Sequence, residues 1–292
     1  MKEFHVTTPK LTAFTMDPIL QEAVTLVANQ ARGRRREDVR LLLGDVKFID
    51  PYGLVCLWAV VRHLRSRFRR VRVALPTDGD LQAYLRRMDF PTAIARMADI
   101  ENEVASLRGS LRPSDVLLEM TAVEQQADVV KVTRSILGRI GQILKNELQY
   151  TERDITAFST VVSEVCTNIF DHSEDKGIVA AQRYTQRDGT KYTIIGVADF
   201  GIGIRESLAK RWRNAKAWPH LHAIVNALQK EYSRHPERGL GLYMVSKIVG
   251  EYRGSLRIRS GNAQLYLRHR AQGFPSVDFP GTQISISLSI KE

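Results

Sequence analysis

The apolar residues of the first hundred positions alternate between short strand-like and helix-like runs, and this feature restricts the fold more than any other. Two strand-like runs, Val39 to Val46 and Val71 to Leu75, flank a helix from about Leu54 to Phe68 whose apolar side chains share one face. Strands that alternate with helices predict an α/β layer. The other elements predicted for this half are a strand at Leu11 to Met16, helices at Ile19 to Gln30 and Leu81 to Met88, and a loop at Phe48 to Gly53.

A polar stretch at Ser106 to Ser114, which contains Gly109 and Pro113, predicts a domain boundary. We therefore expect two domains, residues 1–108 and 109–292, and a chain of 292 residues is long enough for each to bury its own core. The elements predicted for the second half are strands at Val116 to Met120, Ile178 to Tyr184, Tyr192 to Asp199, Ser255 to Arg259, Gln264 to Arg268 and Gln283 to Ile290, and helices at Gln125 to Leu144, from Thr151, at Ile204 to Tyr232 and after Gly239.

The net charge of +11 comes largely from clustered arginines, between Arg32 and Arg36 and between Arg62 and Arg72. Such clusters can bind nucleic acid or acidic proteins. However, Arg62, Arg65 and Arg69 lie at helical spacing opposite apolar residues, and no aromatic residues alternate with the arginines as a single-strand platform requires. We therefore favour a solvated helix face and leave nucleic-acid binding open.

The chain has no apolar run that predicts a membrane helix. The longest, Gly53 to Val61, is far shorter than the roughly 20 residues that a span needs. The first residues are mixed in character, unlike a signal peptide. Cys56 and Cys166 both lie in apolar helical patterns, where reduced packing is expected. A cytoplasmic protein without membrane contact is the simplest interpretation.

A helical segment places Glu164, Asn168 and His172 four residues apart and therefore on one helix face. A carboxylate one turn from a carboxamide suits a magnesium nucleotide. The amide oxygen can bind the hard cation, and the carboxylate can hold a water or take its proton. On its own, the pair is also typical of a polar helix surface.

A glycine-rich segment, Asp199-Phe200-Gly201-Ile202-Gly203-Ile204, directly follows an apolar strand. A carboxylate at a strand end can accept a hydrogen bond from the exocyclic amine of adenine, and the glycines let the backbone approach the ring. A plain strand-to-helix turn is the alternative. Asp-Phe-Gly is also the magnesium motif of protein kinases, but the glycine-rich loop, strand lysine and His-Arg-Asp loop of that fold do not occur upstream.

A second glycine-rich segment, Arg238-Gly239-Leu240-Gly241-Leu242, runs into an apolar helix. Glycines before a helix free backbone N–H groups to face phosphate, and the helix dipole favours the anion. An ordinary glycine-rich helix start is the alternative. The sequence has no Gly-x-x-x-x-Gly-Lys-Ser/Thr, so this segment is not a P-loop.

The order of these three segments resembles the signature of the GHKL ATPases, the class of gyrase, heat-shock chaperones, histidine kinases and MutL. Thr282, which follows Gly281 at the start of the last strand, matches the threonine that this family places near adenine. The resemblance covers about residues 115–292. It implies an α/β sandwich in which a mixed sheet is covered by helices on one face, with ATP and Mg²⁺ as ligands.

The resemblance also implies a role for each matching position. Glu164 would be the catalytic base or the carboxylate that orients water, and Asn168 would bind Mg²⁺. Asp199 and Thr282 would read adenine, and the ATP lid would lie between Arg205 and Arg238. The nucleotide-binding residues implied in this way are Asn168, Asp199, Gly201, Gly203, Arg238, Gly239, Leu240, Gly241, Leu242 and Thr282. Within the superfamily, Glu-x-x-x-Asn-x-x-x-His looks most like the anti-sigma serine kinase branch.

The first half resembles a STAS domain, the anti-anti-sigma fold, over about residues 5–105. The resemblance lies in the strand from Val39 to Val46 and the segment that follows it, Phe48-Ile49-Asp50-Pro51-Tyr52-Gly53-Leu54. That family is regulated by phosphorylation of a serine directly after the aspartate. Here the position is Pro51, so we expect the serine switch to be lost. An unrelated α/β domain with a tight Pro-Tyr-Gly turn is the alternative.

Together the two resemblances imply an intracellular signalling regulator in which Mg-ATP orders a lid and so controls a protein partner, with slow hydrolysis. A serine/threonine kinase of the anti-sigma type, acting on a separate partner, is the second interpretation. A basic interaction scaffold with a non-catalytic nucleotide site is the third. A homodimer is a further expectation, because GHKL signalling proteins often pair.

Overall fold

The computed structural model describes residues 1–31, 36–102, 116–173, 175–232 and 241–289. These residues form a four-stranded sheet in the first half of the chain, a five-stranded sheet in the second half, and one pair of short strands. None of the helices in these ranges is long and apolar enough to cross a membrane. The predicted domain boundary at residues 108 and 109 lies outside the described ranges.

The N-terminal sheet consists of parallel strands in the order β1-β3-β5-β6. This sheet and its helices confirm the α/β layer predicted for the first half. The strands are β1 Lys2–His5, β3 Asp38–Leu42, β5 Arg70–Ala74 and β6 Asp99–Glu101, with β2 Lys10–Leu11 and β4 Phe48–Ile49 as the short pair, and the helices are α1 Asp17–Ala31, α2 Pro51–Arg67, α3 Gly79–Arg87 and α4 Phe90–Ile94.

Helix α2 begins at Pro51, three residues before its predicted start, so the loop predicted up to Gly53 is wrong. The side chain of Asp50 caps the helix, because it accepts a hydrogen bond from the backbone N–H of Gly53 at 2.8 Å. A proline in the first turn loses no helical hydrogen bond, so Pro51 favours this start. Every residue from Pro51 to Val61 is buried, which means that both sides of the helix are covered.

The C-terminal sheet has the order β10-β11-β9-β8-β7, and every pairing in it is antiparallel. The expectation of a mixed sheet is therefore wrong. Hairpins such as the one at Gly189 (φ 87°) join sequential strands and reverse their direction. The strands are β7 Val116–Val123, β8 Gly177–Thr185, β9 Lys191–Asp199, β10 Ser255–Leu267 and β11 Ala271–Ser289, and the helices are α5 Gln126–Ser135, α6 Gly141–Leu148, α7 Glu152–His172, α8 Gly203–Ala209, α9 His220–Ala227 and α10 Gly241–Glu251.

Four of the predicted elements of the second half, two helices and two strands, have different boundaries. The long helix predicted to Leu144 is divided between α5 and α6 by a π-helical segment, Ile136–Ile140, around the non-helical Gly138. The region predicted as helical up to Tyr232 is divided into α8, α9 and two 3₁₀ turns, Arg213–Ala217 and Lys230–Tyr232. The strands predicted at 255–259 and 264–268 are one strand, β10, with a register shift around Gly261.

Both faces of the C-terminal sheet are covered, whereas the resemblance implied helices on one face. Along β8, Val179 and Ala181 pack in the core formed with α7 and α10, while Ile178 and Ala180 pack in the core of the N-terminal half. Helix α2 is the element that fills this second face. The two backbones approach so closely that a Cβ at Gly196 of β9 would lie 2.4 Å from the carbonyl oxygen of Pro51.

A buried ion pair also joins the two halves. Arg259 of β10 is 1% exposed and pairs with Asp17, the first residue of α1. The side-chain amide of Gln264 donates to the second carboxylate oxygen of Asp17 at 2.9 Å. Helices α1 and α2 therefore both fix the N-terminal half against the C-terminal sheet.

Candidate functional site

A cleft with an empty volume of about 720 Å³ lies on the face of the C-terminal sheet that α7, α8 and α10 cover. Its lining combines an apolar surface with a few polar side chains, as in most small-molecule sites. Residues from all the segments singled out in the sequence meet there, and they are Asn168 from α7, Asp199 from the end of β9, Gly203 from the start of α8, Gly241 and Leu242 from the start of α10, and Thr282 from β11.

Asp199 supplies a buried carboxylate to the cleft. It is 7% exposed, and its Oδ1 accepts two backbone hydrogen bonds, from Gly201 at 2.8 Å and from Thr282 at 3.2 Å. Burial raises the pKa of this carboxyl to about 6, although the two backbone bonds oppose that shift. Asp199 is therefore held in a fixed orientation and is mainly ionised at neutral pH.

Glycines are required beside Asp199 because the backbone segments approach one another closely. Gly281 has φ 78°, and a Cβ there would lie 2.2 Å from the carbonyl oxygen of Asp199. Gly201 packs against Ser173 at the end of α7 and is not part of the cleft lining, so its contact is with protein backbone. Gly203, in contrast, lines the cleft at the start of α8.

Two side chains of α7 lie next to the start of α10. Asn168 lines the cleft, and its buried Nδ2 has no hydrogen-bond partner among the residues that the structure describes. The carboxylate of Glu164, one turn earlier, accepts a hydrogen bond from the backbone N–H of Gly241. Partial burial raises the pKa of Glu164. Of the pair predicted from the sequence, Asn168 thus lines the cleft, whereas Glu164 is not among its lining residues and connects α7 to α10 through Gly241.

Three of the predicted phosphate-binding residues, Arg238, Gly239 and Leu240, lie in residues 233–240, outside the described ranges. The side chain of His172 is not among those described either. Gly241 and Leu242, which follow them, begin α10 at the edge of the cleft. The side-chain amide of Asn168, which carries an oxygen, and the nearby carboxylate of Glu164 fit a magnesium ion, which usually takes one or two protein oxygens together with phosphates.

The segment predicted to contain the lid, Arg205 to Arg238, is described as far as Tyr232. It folds around a small apolar cluster whose buried members are Leu208, Ala209, Ala215 and Ala223. Tyr232 packs edge-on against Trp218, with 5.7 Å between the ring centroids, and it also lines the cleft. This segment therefore forms one wall of the cleft.

Ser260, which no sequence pattern indicated, does not line the cleft but supports two of its segments. Its hydroxyl oxygen accepts a hydrogen bond from the backbone N–H of Ile204 at 2.9 Å, and this bond fixes the start of α8. In the sheet, Ser260 is directly opposite Thr282, whose hydroxyl donates to it at 3.5 Å. Only the pairing of β10 with β11 reveals this contact, because no local motif surrounds Ser260.

Comparison with known proteins gives one match. No curated protein and no solved structure matches the chain significantly. The family model described as histidine kinase-, DNA gyrase B-, and HSP90-like ATPase matches residues 153–292, which include α7, β9, α10 and β11. Residues 153–292 therefore form a GHKL domain, and membership of that family implies that the domain binds ATP.

Proposed function

We propose that this protein is a nucleotide-dependent regulator, in which Mg-ATP in the cleft controls how the N-terminal half meets a protein partner. The observation that carries the proposal is the position of β9. Its last residue, Asp199, supplies the carboxylate of the cleft, while Gly196, three residues earlier, is in backbone contact with Pro51 of α2. Binding of a nucleotide at Asp199 can therefore affect the N-terminal half through the two residues of β9 that separate Asp199 from Gly196 and its contact with Pro51.

In this proposal each residue of the cleft contacts a different part of the nucleotide. Asp199 accepts a hydrogen bond from the exocyclic amine of adenine, and Thr282 lies beside Asp199. Asn168 provides the amide oxygen for Mg²⁺, which would neutralise the charge of the phosphates. The start of α10, at Gly241 and Leu242, would lie beside the phosphates, favoured by the dipole of that helix.

The N-terminal half would act as a STAS-like recognition module. Its parallel sheet and its capped helix after Asp50 support this assignment. Asp50 is 4% exposed, and the Pro51 carbonyl faces β9, so this end of α2 is covered by the C-terminal sheet. A partner would therefore bind elsewhere on the N-terminal half, and no serine switch would operate at this position.

Hydrogen exchange with and without Mg-ATP tests the regulatory part of the proposal. We expect slower exchange in the cleft and also altered exchange in residues 1–102, because the two halves share a core. Binding of ATP that left exchange in residues 1–102 unchanged would contradict the proposal. That result would favour the alternative of a scaffold whose nucleotide site only stabilises the fold.

A protein kinase of the anti-sigma type is the second candidate, and the position of Glu164 favours it. The carboxylate is half-buried beside Asn168, and its raised pKa suits a group that takes a proton from water or a hydroxyl. Phosphorylation of a separate protein with labelled ATP would distinguish this function from regulation by binding alone.

We predict that Glu164→Gln lowers ATP turnover by about 10²- to 10⁴-fold, the usual contribution of a general base, and changes ATP affinity little. Glutamine keeps an oxygen for the N–H of Gly241 but cannot take a proton. Phosphate release measures turnover, and Glu152→Gln, an exposed position at the start of the same helix, is the control. Equal turnover in the two variants would mean that Glu164 only connects α7 to α10.

We also predict that ATP affinity falls as the pH drops below about 6, the pKa of Asp199. Protonation removes the charged acceptor, so affinity at pH 5 should be about tenfold lower than at pH 7. The effect of the same group on folding stability runs in the other direction. Burial raises the pKa of Asp199 from 3.8 to about 6, so the protonated side chain stabilises the folded state. This stabilisation is present below about pH 4 and is lost as the pH rises to about 6.

Calorimetric titration across this pH range measures the effect on binding. Asp199→Asn is the control, since any pH dependence that remains in it belongs to the phosphates of the nucleotide. A pH dependence that is identical in the wild type and in Asp199→Asn would contradict the assignment of Asp199 to the adenine.

A further inference from the structure

Helix α2 of the N-terminal half contacts both segments that supply the buried polar groups of the cleft. Phe200 follows Asp199, and Phe279 precedes Thr282 by three residues. The ring of His63 packs against both phenylalanines, with centroid distances of 5.8 Å and 5.2 Å. Burial lowers the pKa of His63 to about 4, so the imidazole packs there as a neutral ring.

Arg62, the residue before His63, makes the stronger connection. Its guanidinium donates to both carboxylate oxygens of Asp175, at 2.6 Å and 2.7 Å. It also lies over the rings of Phe200 and Trp58, at 5.2 Å and 5.4 Å from their centroids. Both bonds to Asp175 come from Nη2, while Nη1 donates to the carbonyl oxygen of Lys176 at 3.4 Å. The stacking holds the planar guanidinium in one orientation, an arrangement that lysine cannot reproduce.

The carboxylate that Arg62 binds belongs to a turn that supports the loop after Asp199. The N–H of Asp175 donates to the hydroxyl oxygen of Ser173 at 3.1 Å. The carbonyl oxygen of Ser173 in turn accepts the N–H of Ile202 at 3.0 Å, and Gly201 packs against the same carbonyl. Arg62 therefore holds the loop from two sides, through Phe200 directly and through the Ser173 turn.

The charge of Arg62 also bears on Asp199. The negative charge of Asp175 raises the pKa of Asp199, so the two carboxylates are close enough to interact. Arg62 neutralises Asp175 at contact distance. Without the guanidinium, an uncompensated charge would remain near the buried carboxylate, and the loop would lose two of its supports.

We propose that Arg62 is a positioning residue for the adenine site, and that through it α2 couples nucleotide binding to the docking of the N-terminal half. The inference rests on the proposed function, since it takes the cleft to bind ATP. Coupling between two sites is reciprocal, so ATP should also strengthen the docking of α2 on the C-terminal sheet.

Affinities for ATP and GTP, measured by calorimetry in Arg62→Ala, Arg62→Lys and the wild type, test the proposal. We expect Arg62→Ala to lower ATP affinity about tenfold, within the usual range of coupling between sites, and to reduce the preference for ATP over GTP. Arg62→Lys should restore ATP affinity only in part, because lysine keeps the charge but not the planar group that lies over Phe200 and Trp58.

The control is Arg69→Ala, which removes an ion pair with Asp38, at 2.9 Å and 3.0 Å, that joins β3 to the residue before β5 and does not line the cleft. It should leave both affinities unchanged. If Arg62→Ala lowered ATP and GTP affinity by the same factor, Arg62 would have a general role in stability, and the positioning role would be wrong. The same ATP affinity and the same ATP preference in Arg62→Ala and the wild type would overturn the proposal.

A second readout separates this proposal from the proposed function. If the wild type bound no ATP, the proposed function would fail, but the loop could still be examined without nucleotide. The N–H groups of Gly201 and Ile202 are bonded to Asp199 and Ser173. Faster exchange at these two amides in Arg62→Ala, but not in Arg69→Ala, would support the positioning role, and equal exchange would overturn it.

Discussion

Asp199→Asn is expected to lower ATP affinity by about a hundredfold or more while the protein stays folded. Oδ1 of Asp199 accepts both backbone N–H groups, so an asparagine must keep its oxygen there and turn its NH₂ toward the cleft. That NH₂ would meet the amine of adenine, donor against donor. Loss of a charged hydrogen bond and an unpaired buried donor together cost about 3 kcal/mol or more, which corresponds to a hundredfold.

The same change should shift the preference of the site toward GTP. Guanine has an acceptor, O6, where adenine has an amine, so the asparagine NH₂ can donate to it. Calorimetric titration with both nucleotides measures the shift. Asp188→Asn makes the same substitution in the β8–β9 turn, where the side chain accepts a hydrogen bond from the nearby Thr190 N–H, and it should leave both affinities unchanged. Unaltered ATP binding in Asp199→Asn would show that Asp199 does not read the base.

Gly201→Ala is expected to destabilise the protein and to remove ATP binding. A Cβ at this position would lie 1.9 Å from the carbonyl oxygen of Ser173. Neither backbone segment can move away easily, because the N–H of Ile202 is bonded to that same carbonyl. Overpacking of this kind costs about 3 kcal/mol, the upper part of the usual range. Urea denaturation measures the loss, and the movement of the loop should displace Asp199.

Gly250→Ala is the matched control for this prediction. Gly250 lies inside α10, and a Cβ there would meet no atom within 4 Å. Because alanine is the better helix former, the free energy of unfolding should rise by up to about 1 kcal/mol. Gly201→Ala with the stability and ATP affinity of the wild type would contradict the packing described around Ser173.

Local patterns in the sequence predicted the parts of the site that local chemistry determines. The helix predicted from Thr151 begins at Glu152, where Thr151 and Asp154 form a capping box. The strand predicted to end at Asp199 also ends there. In contrast, Ser260 reaches the site only through its register with Thr282, which depends on two distant strands.

The position of α2 between the two sheets was not predicted, although the sequence contained a signal for it. The apolar run from Gly53 to Val61 is continuous, so apolar side chains project from every side of the helix. A helix that is apolar all round is buried on all sides, whereas the prediction considered only one face. The antiparallel order of the C-terminal sheet was also missed, because strand direction depends on connections that periodicity does not report.

Several arginines of the cluster between Arg62 and Arg72 pair with carboxylates of the same chain. Arg62 binds Asp175, and Arg69 binds Asp38. Arg72 lies 3.7 Å from Glu101, in the same way. Arg62 is stacked on Trp58 and Phe200, so it differs from the solvated helix face that the sequence analysis favoured, and nucleic-acid binding stays an untested prediction.

The central claim is that the cleft binds ATP, selects it by its adenine and requires Mg²⁺. Calorimetric titration of the full chain with ATP and GTP, each with and without Mg²⁺, tests it most directly. We expect ATP to bind in the presence of Mg²⁺, and GTP to bind at least about a hundredfold more weakly, because a carboxylate at Asp199 cannot pair with O6 of guanine. Equal affinities for ATP and GTP, or no binding of ATP with Mg²⁺ present, would contradict the account.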